Sequence, residues 1–171
     1  MTEKTGIERR TLLRAMTAAS GTALSMRAGA TDWMSVNANG ILTREQTPYM
    51  RGAFSGKGNP VTGVLLITAD VNVGSCWNNS TGNFTCPVAG YYLVTGSNIA
   101  AVGSGYFRIR KNGASYHFTH WNHATPDWAY VSLSGILLCA VGDTIQYFTE
   151  STNSGFYGGG GHCMYSIALM A

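Results

Sequence analysis

Three histidines close together, His117, His120 and His123, are the first residues in this chain whose types suggest chemistry. Neutral imidazole is a common metal ligand, so the stretch HFTHWNH invites a metal hypothesis. Side chains three apart on a strand point to opposite faces of a sheet, however, so His117 and His120 would not ligate one ion. We therefore predict no metal site and no cofactor; a three-fold axis that collects one histidine from each subunit is the remaining route to a metal.

The same stretch is better suited to binding a carbohydrate. Residues 116–130 combine flat aromatic rings with amide, imidazole and carboxylate groups. Sugars present apolar faces and hydroxyl edges together, and these side chains match both. For Trp121 and Trp128 we favour the other interpretation, that they pack inside a sandwich or in a subunit interface. The candidate glycan-binding residues are Tyr116, His120, Trp121, Asn122, His123, Asp127 and Trp128.

The sequence contains no motif that indicates catalysis. It has no Gly-x-Ser-x-Gly elbow, phosphate-binding loop or dinucleotide-binding fingerprint. Asp127, Asp143 and Glu150 do not pair at a spacing typical of acid–base chemistry, and Asp143 reads as a turn residue. We predict that the protein is not an enzyme. The alternative is a polysaccharide-degrading head with carboxylates facing each other across a cleft between subunits.

The elements that would position these side chains are short strands. From Thr47 onward, apolar or alternating runs are separated by glycine-rich turns, and Asn112-Gly113 is a strong signal for a type I′ hairpin. About eight to ten strands without a convincing helix predict an antiparallel β-sandwich of the jelly-roll kind. A chain of 171 residues fits one such domain with its own core.

Charge is concentrated near the amino terminus. Only 11% of the residues are charged, and the net charge is +3. Residues 1–30 hold five basic and two acidic side chains, which accounts for the whole excess. The rest of the chain is neutral, and a nucleic-acid-binding surface is therefore not predicted.

Residues 1–30 are predicted to form an anchoring arm. Thr5 and Glu8 have the spacing of a capping box, and apolar residues recur at intervals of three and four, as in an amphipathic helix. A helix this weak would fray alone in water, so a partner subunit or a larger particle would have to pack against it. The predicted anchor residues are Ile7, Arg9, Arg10, Leu12, Leu13, Arg14 and Met16.

The arm also has the pattern of a twin-arginine export signal, which is the competing interpretation. Arg9-Arg10 precede an apolar stretch, and Ala28-Gly29-Ala30 would serve as a cleavage site. No run of about 20 apolar residues is present, so no membrane span is predicted. Residues 31–46 read as a linker that turns at Asn39-Gly40.

The four cysteines, Cys76, Cys86, Cys139 and Cys163, lack the paired spacing of a structural zinc site. Two interpretations stay open. We prefer free thiols that pack as small hydrophobes, as suits a reducing cytoplasm; the other is a bridge between Cys76 and Cys86 across a hairpin.

A longer pattern lies between Leu66 and Val94. Residues at the spacings of one family's signature are Leu66, Asn72, Trp77, Phe84, Gly90 and Tyr92. On these residues the segment resembles the C1q/TNF-like trimeric jelly-roll domains. Leu66 stands in place of that family's aromatic residue, and Val94 and Gly96 also stand where it usually has aromatics. The resemblance covers residues 47–171. It implies an all-β, antiparallel jelly-roll sandwich of the C1q/TNF type that forms a homotrimer with a binding or scaffold role.

The segment before this one, NANGILTREQTPYMRGAF, resembles the entry to C1q-like heads in structural proteins of tailed bacteriophages. That likeness implies a virion protein: a capsid decoration or head fibre whose head, residues 47–171, binds host-surface glycans and is held to the particle by its arm. Two alternatives are a receptor-binding tail-fibre tip and a twin-arginine-exported bacterial C1q-like binding protein. The expected partners are further copies of the chain, other capsid or tail proteins and host polysaccharide. The expected location is the virion surface, after assembly in the host cytoplasm.

Overall fold

The computed structural model describes residues 24–28, 31–36, 42–43, 47–54, 62–100, 102–124, 128–151, 156–158 and 161–170. The chain divides into two compact units, Met1–Gln46 and Thr47–Ala171. None of the described segments forms a helix, and hence none offers a helix that could cross a membrane.

The first unit contains a small antiparallel sheet with the strand order β1-β2-β3, formed by Leu24–Ala28, Thr31–Val36 and Leu42–Thr43. The end of the predicted helical arm, Leu24–Ala28, forms a strand and not a helix. The predicted linker, 31–46, supplies β2 and β3, whose pairing satisfies backbone donors and acceptors. The turn at Asn39-Gly40 and the anchor residues lie outside the described residues, and the division into arm, linker and head stays a prediction. These anchor residues are Ile7, Arg9, Arg10, Leu12, Leu13, Arg14 and Met16.

The second unit is built from strands β4 to β15. Their bounds are Tyr49–Ala53, Gly63–Val64, Thr68–Val73, Trp77–Asn78, Asn83–Thr85, Gly90–Ala100, Gly103–Lys111, Ala114–His123, Ala129–Cys139, Thr144–Ser151, Phe156–Tyr157 and Met164–Leu169.

These strands form two antiparallel sheets. The β9 sheet has the order β12-β9-β15-β4-β6, with β14 also paired to β9. The β10 sheet has the order β11-β10-β13-β8-β7, with β5 also paired to β13. Strands distant in sequence are neighbours in both sheets, as in a jelly roll. The prediction of an all-β, antiparallel jelly-roll sandwich is confirmed.

Alternating burial explains why these residues form strands. In β10, Gly105, Phe107 and Ile109 are buried, while the intervening side chains are only partly covered. Such a period of two places one set of side chains in the core between the sheets and the other set on the outer surface.

The predicted β10–β11 hairpin is present. Lys111 pairs with Ala114, which leaves Asn112 and Gly113 as a two-residue loop. Both have positive φ, 51° and 78°, as a type I′ turn requires, and the turn prediction is therefore confirmed.

Three of the six residues of the sequence signature lie in the core. Trp77, Phe84 and Tyr92 are buried. The Asn72 side chain brackets Trp77: its Oδ1 accepts the Trp77 N–H and its Nδ2 donates to the Trp77 carbonyl, both at 2.9 Å. Leu66 differs, because its side chain is 49% exposed. Because side chains alternate between the two faces of an extended chain, the residues before and after Leu66 point into the core instead.

Packing in the core explains why position 96 is glycine, where the C1q/TNF-like pattern usually has an aromatic residue. A Cβ placed there would lie 2.7 Å from the Phe107 ring and 3.2 Å from the Tyr147 ring. The two rings, 6.1 Å apart and nearly parallel, occupy the space that a side chain at Gly96 would need.

Tyr147 joins the two sheets. It belongs to β13 of the β10 sheet, yet its hydroxyl lies 2.7 Å from the Thr95 carbonyl of β9 and 2.8 Å from the Ser166 carbonyl of β15. Complete burial raises the pKa of the phenol well above its ordinary value, so the group stays a neutral hydrogen-bond donor.

Asp143 closes the corner between β12 and β13. Its carboxylate accepts hydrogen bonds from the Asn112 side chain, Lys111 Nζ and the Ala140 N–H at 2.8, 2.9 and 2.8 Å. Asn112 first, then Lys111, lower the pKa of this carboxyl group to about 2. Asp143 is therefore ionised throughout the usual pH range and acts as a turn residue.

We expect Tyr147→Phe to lower the free energy of unfolding by about 1–2 kcal/mol, because a buried hydrogen bond between the sheets is lost without a change of shape. Urea unfolding at one fixed protein concentration measures the change. Tyr116→Phe is the matched control, since Tyr116 is 52% exposed on β11, and its effect should stay within about 0.5 kcal/mol. Equal effects of the two substitutions would contradict a special role for the buried hydroxyl.

Candidate functional site

Large apolar side chains cover part of the outer surface of the β9 sheet. Tyr91 and Leu93 of β9 are 57% and 38% exposed, and Ile136 and Leu138 of β12 are 51% and 57% exposed. Leu93 lies opposite Ile136, and Tyr91 lies opposite Leu138, so the four side chains are cross-strand neighbours. These four residues are named the apolar face.

The apolar face is unusual for a surface that only meets water. An antiparallel sheet with one face on the core normally alternates apolar inward and polar outward residues. In β12 the Leu137 side chain points into the core, as expected, but the outward residues on either side of it, Ile136 and Leu138, are also apolar. Contiguous exposed apolar side chains of this kind mark a surface that binds another surface.

A band of hydroxyl groups continues from the apolar face along the same sheet. The Oγ1 of Thr95 and the Oγ of Ser166 lie 2.8 Å apart. A shallow depression of about 430 Å³ crosses this band, and Arg51 and Met164 stand among its lining residues. Arg51 pairs with Asp70 at 2.7 Å, and the pair holds the pKa of the Asp70 carboxyl group below its ordinary value. The other serines that line the depression are Ser97, Ser132 and Ser134.

A second depression, of about 420 Å³, lies beside the start of β12 and is named the aromatic recess. Ile99, Trp128, Tyr130 and His162 line it. Trp128 and Tyr130 are 55% and 78% exposed. Two rings beside an imidazole combine apolar stacking surfaces with hydrogen-bonding groups, which is the combination that sugar binding uses.

Most of the predicted glycan-binding residues do not lie in this recess. Trp128 does, but Trp121 is only 5% exposed, with its ring 4.9 Å from that of Phe156 in the core. A buried Trp121 is not available to a surface ligand. Asp127 lies outside the described residues.

The remaining candidates are spread along β11. His120 and Asn122 are exposed and pair with outward residues of β10, while His123, at the end of the strand, is half-buried. Tyr116 is exposed near the hairpin, with its ring 5.1 Å from that of His117. Because neighbouring side chains of a strand point to opposite faces, the predicted glycan-binding residues of β11 do not form one surface.

Two residues of the aromatic recess were missed by the sequence analysis. Tyr130 ends the aromatic stretch but is not among the residues predicted to bind a glycan. The alternation of inward and outward side chains along β12 would have indicated that Tyr130 faces outward. His162 is distant in sequence and only the tertiary structure brings it beside Trp128 and Tyr130.

The histidines of β11 do not converge on a metal position. A Cβ at Gly135 would meet the His117 ring at 2.4 Å, whereas the His120 ring packs 4.9 Å from Tyr106 on the outer surface of the β10 sheet. Among the described residues, no group of three or more His, Cys, Asp or Glu side chains is placed to hold a metal ion.

None of the four cysteines forms a disulfide, and all four are buried. Burial raises the pKa of the Cys76 thiol to about 11 and raises that of Cys86, which also contacts Cys139, further still. Such thiols stay protonated and are poor nucleophiles. They pack as small hydrophobes, which was the preferred interpretation of the sequence.

The described carboxylates of the second unit are engaged in ion pairs. Asp70, Asp143 and Glu150 lie 2.7, 2.9 and 2.9 Å from Arg51, Lys111 and Arg108. Neither described aspartate has a raised pKa that would suit it as a general acid.

Two six-stranded antiparallel sheets with an apolar outer face define a jelly-roll binding domain. The chain belongs to the C1q domain family, because the family model for the C1q domain matches residues 59–162, more than half of the chain. Domains of the C1q and TNF type are generally non-enzymatic binding domains and typically form homotrimers.

Solved structures of the same fold are similar at low sequence identity. The globular domain of the zebrafish complement 1qA protein has a TM-score of 0.61 at 14% identity, over 74% of this chain and 98% of that one. Murine APRIL at pH 5.0 has a TM-score of 0.58 at 8% identity, over 73% of this chain and 100% of that one. A comparison with curated proteins finds no match.

Proposed function

We propose that this C1q-domain chain is a non-enzymatic binding head that assembles as a homotrimer through the outer surface of the β9 sheet. The apolar face is the observation that carries the proposal. Its four large side chains are substantially exposed in one chain and gain most from burial against another copy. The hydroxyl band beside it supplies donors and acceptors for the more polar part of the same interface.

In a three-fold assembly, the surface of one subunit contacts a different surface of the next subunit. In a closed ring each subunit uses one patch towards the next subunit and another towards the previous one. The β9 sheet is broad enough for this, since the apolar face lies on β9 and β12 while Arg51 and Met164 lie on strands towards its other edge. The trimer would bury the apolar face and leave the outer surface of the β10 sheet in contact with solvent.

The head is further proposed to decorate a bacteriophage particle, as a capsid decoration or head fibre, with a tail-fibre tip as the alternative. Three features of the sequence support this: the basic residues concentrated in 1–30, the low charged fraction of 11%, and the likeness of the entry segment to phage C1q-like heads. In this proposal Arg9, Arg10 and Arg14 pair with acidic groups of the particle while Ile7, Leu12, Leu13 and Met16 pack in a groove. Export by the twin-arginine route predicts instead a processed chain that begins after Ala30.

The aromatic recess is proposed to bind host-surface glycans. Trp128 and Tyr130 offer exposed rings to the apolar face of a sugar, and His162 offers a hydrogen-bonding edge. The affinity of one such shallow site would be low. Three copies on one head, and many heads on one particle, would compensate through multivalency.

Light scattering after size exclusion tests the trimer. We expect the full-length protein to have about three times the chain mass of 18.2 kDa. Leu138→Glu should lower the mass towards that of one chain, because a carboxylate would be buried in the interface. Phe118→Glu is the control: Phe118 is 60% exposed on the other sheet, and its substitution should leave the mass unchanged. A monomeric wild-type protein would overturn the proposal.

Deletion of residues 1–30 tests the anchoring arm. We expect the shortened chain, which loses β1 with the arm, to remain a trimer whose head keeps its strands, since the head has its own core, but to be absent from purified particles. Immunoblotting of particles assembled with either chain measures incorporation. Normal incorporation of the shortened chain would refute the anchor, and a processed mass in a periplasmic fraction would favour export.

Trp128→Ala tests the aromatic recess. We expect binding to a glycan array and to intact host cells to weaken about tenfold per site, because the stacking ring is removed. Leu66→Ala is the control, since Leu66 is also an exposed apolar side chain but lies outside the recess. If wild-type protein binds neither the array nor the cells, the glycan proposal fails.

A further inference from the structure

The outer surface of the β10 sheet carries a row of planar side chains across strands β11, β10 and β13. The Tyr106 ring lies 4.9 Å from His120 and 5.8 Å from Phe118. Phe118 is 60% exposed. Phe148 of β13 pairs with Arg108 of β10, on the other side from Phe118. The row is therefore continuous over three neighbouring strands.

Two guanidinium groups stack on these rings. The Cζ of Arg108 lies 4.5 Å from the centroid of Tyr106 and 5.6 Å from that of Phe118. The Cζ of Arg110 lies 3.4 Å from the centroid of Phe148. Stacking holds a planar guanidinium in one orientation, so less conformational entropy is lost when it binds a ligand. This surface is named the arginine–aromatic row and comprises Tyr106, Arg108, Arg110, Phe118, His120 and Phe148.

Arg110 differs from the other described cations of the second unit. Arg51, Arg108 and Lys111 each contact a carboxylate, at 2.7, 2.9 and 2.9 Å. Arg110 has no such partner among the described residues, whose three carboxylates in this unit are all engaged.

The surroundings of Arg110 leave its charge uncompensated. Its Nε is buried and has no hydrogen-bond partner. Gln146, the residue opposite Arg110 on β13, directs its amide nitrogen to the Asn83 Oδ1 at 2.6 Å. A guanidinium with no carboxylate beside it keeps its positive charge available, and an anion that reaches its terminal nitrogens would form a charge-assisted hydrogen bond there.

We propose that the arginine–aromatic row is a binding site for an acidic polysaccharide of the uronic acid type. A uronate carboxylate would pair with the terminal nitrogens of Arg110, and the apolar face of another pyranose ring of the same polysaccharide would stack on the exposed Phe118 ring. This site lies on the other sheet from the apolar face, and it depends neither on trimer formation nor on the aromatic recess.

Charge and shape favour a uronate over a nucleic acid. A protein that follows a phosphate backbone needs several clustered cations, because each neutralised phosphate contributes to affinity. This surface has one uncompensated cation, since Glu150 neutralises Arg108. One uncompensated guanidinium on β10 and one exposed ring on β11 match a polysaccharide that carries carboxylates along a chain of sugar rings.

Isothermal titration of the full-length protein with an oligogalacturonate tests the site. The fully methyl-esterified oligomer is the matched control ligand, because it keeps the rings and removes the charge. We expect the free acid to bind at least about tenfold more tightly than the ester, as a charge-assisted hydrogen bond requires. We also expect added salt to weaken its binding. Equal affinity for acid and ester, or no binding of the acid, would overturn the proposal.

Arg110→Gln should weaken binding of the acid by about tenfold and leave any binding of the ester unchanged. Arg51→Gln is the control variant, since it removes an exposed arginine from the other sheet. Phe118→Leu should weaken both ligands, because it removes the stacking ring and keeps an apolar side chain. Circular dichroism shows whether Arg110→Gln folds. If it does not fold, the Phe118→Leu variant still tests the proposal. Acid binding that is unaffected by Arg110→Gln in a folded protein would refute the site.

Single-stranded DNA of mixed sequence is titrated in parallel. We expect no binding at physiological salt. Binding of DNA that Arg110→Gln abolishes, together with no binding of oligogalacturonate, would overturn the uronate proposal in favour of a nucleic-acid site.

Discussion

The hydrogen-bonded contact of Tyr147 with the opposite sheet is the constraint on which the rest of the head depends. Its phenol crosses the core from β13 to the backbone of β9 and β15. Phe107 and Tyr165 pack against the ring, at 6.1 and 4.9 Å. Gly96 leaves the space for this cluster. Because a buried polar group must be satisfied, the contact sets the distance between the sheets and their alignment.

Once the two inner faces are set, strand alternation determines both outer surfaces. The β9 sheet then presents Tyr91, Leu93, Ile136 and Leu138, and the β10 sheet presents arginines stacked on aromatic rings. These surfaces point in opposite directions and differ in chemistry. One is suited to being covered by another protein surface, and the other to a charged ligand from solution. Assembly and ligand binding need not compete for the same residues.

The glycan prediction shows where reasoning along the chain reaches its limit. Residues 116–130 combine the right side chains, but a strand directs neighbours to opposite faces. Trp121 therefore supports the core, His120 joins the outer surface of the β10 sheet, and Trp128 lies in the aromatic recess. The recess is completed by His162, which follows in sequence only after two further strands. No local pattern brings these residues together.

The sequence by itself determined the all-β class, the Asn112-Gly113 hairpin and the C1q-like pattern of Trp77, Phe84 and Tyr92. Each of these rests on local spacing, turn chemistry or a family signature, which are properties of the chain read in order. Only the tertiary structure decided that Leu66 faces outward, that the apolar face is continuous across β9 and β12, and that Arg110 has no carboxylate partner among the residues that the structure describes. Those facts depend on the register of strands far apart in sequence, and register is set by packing of the whole core rather than by any one segment.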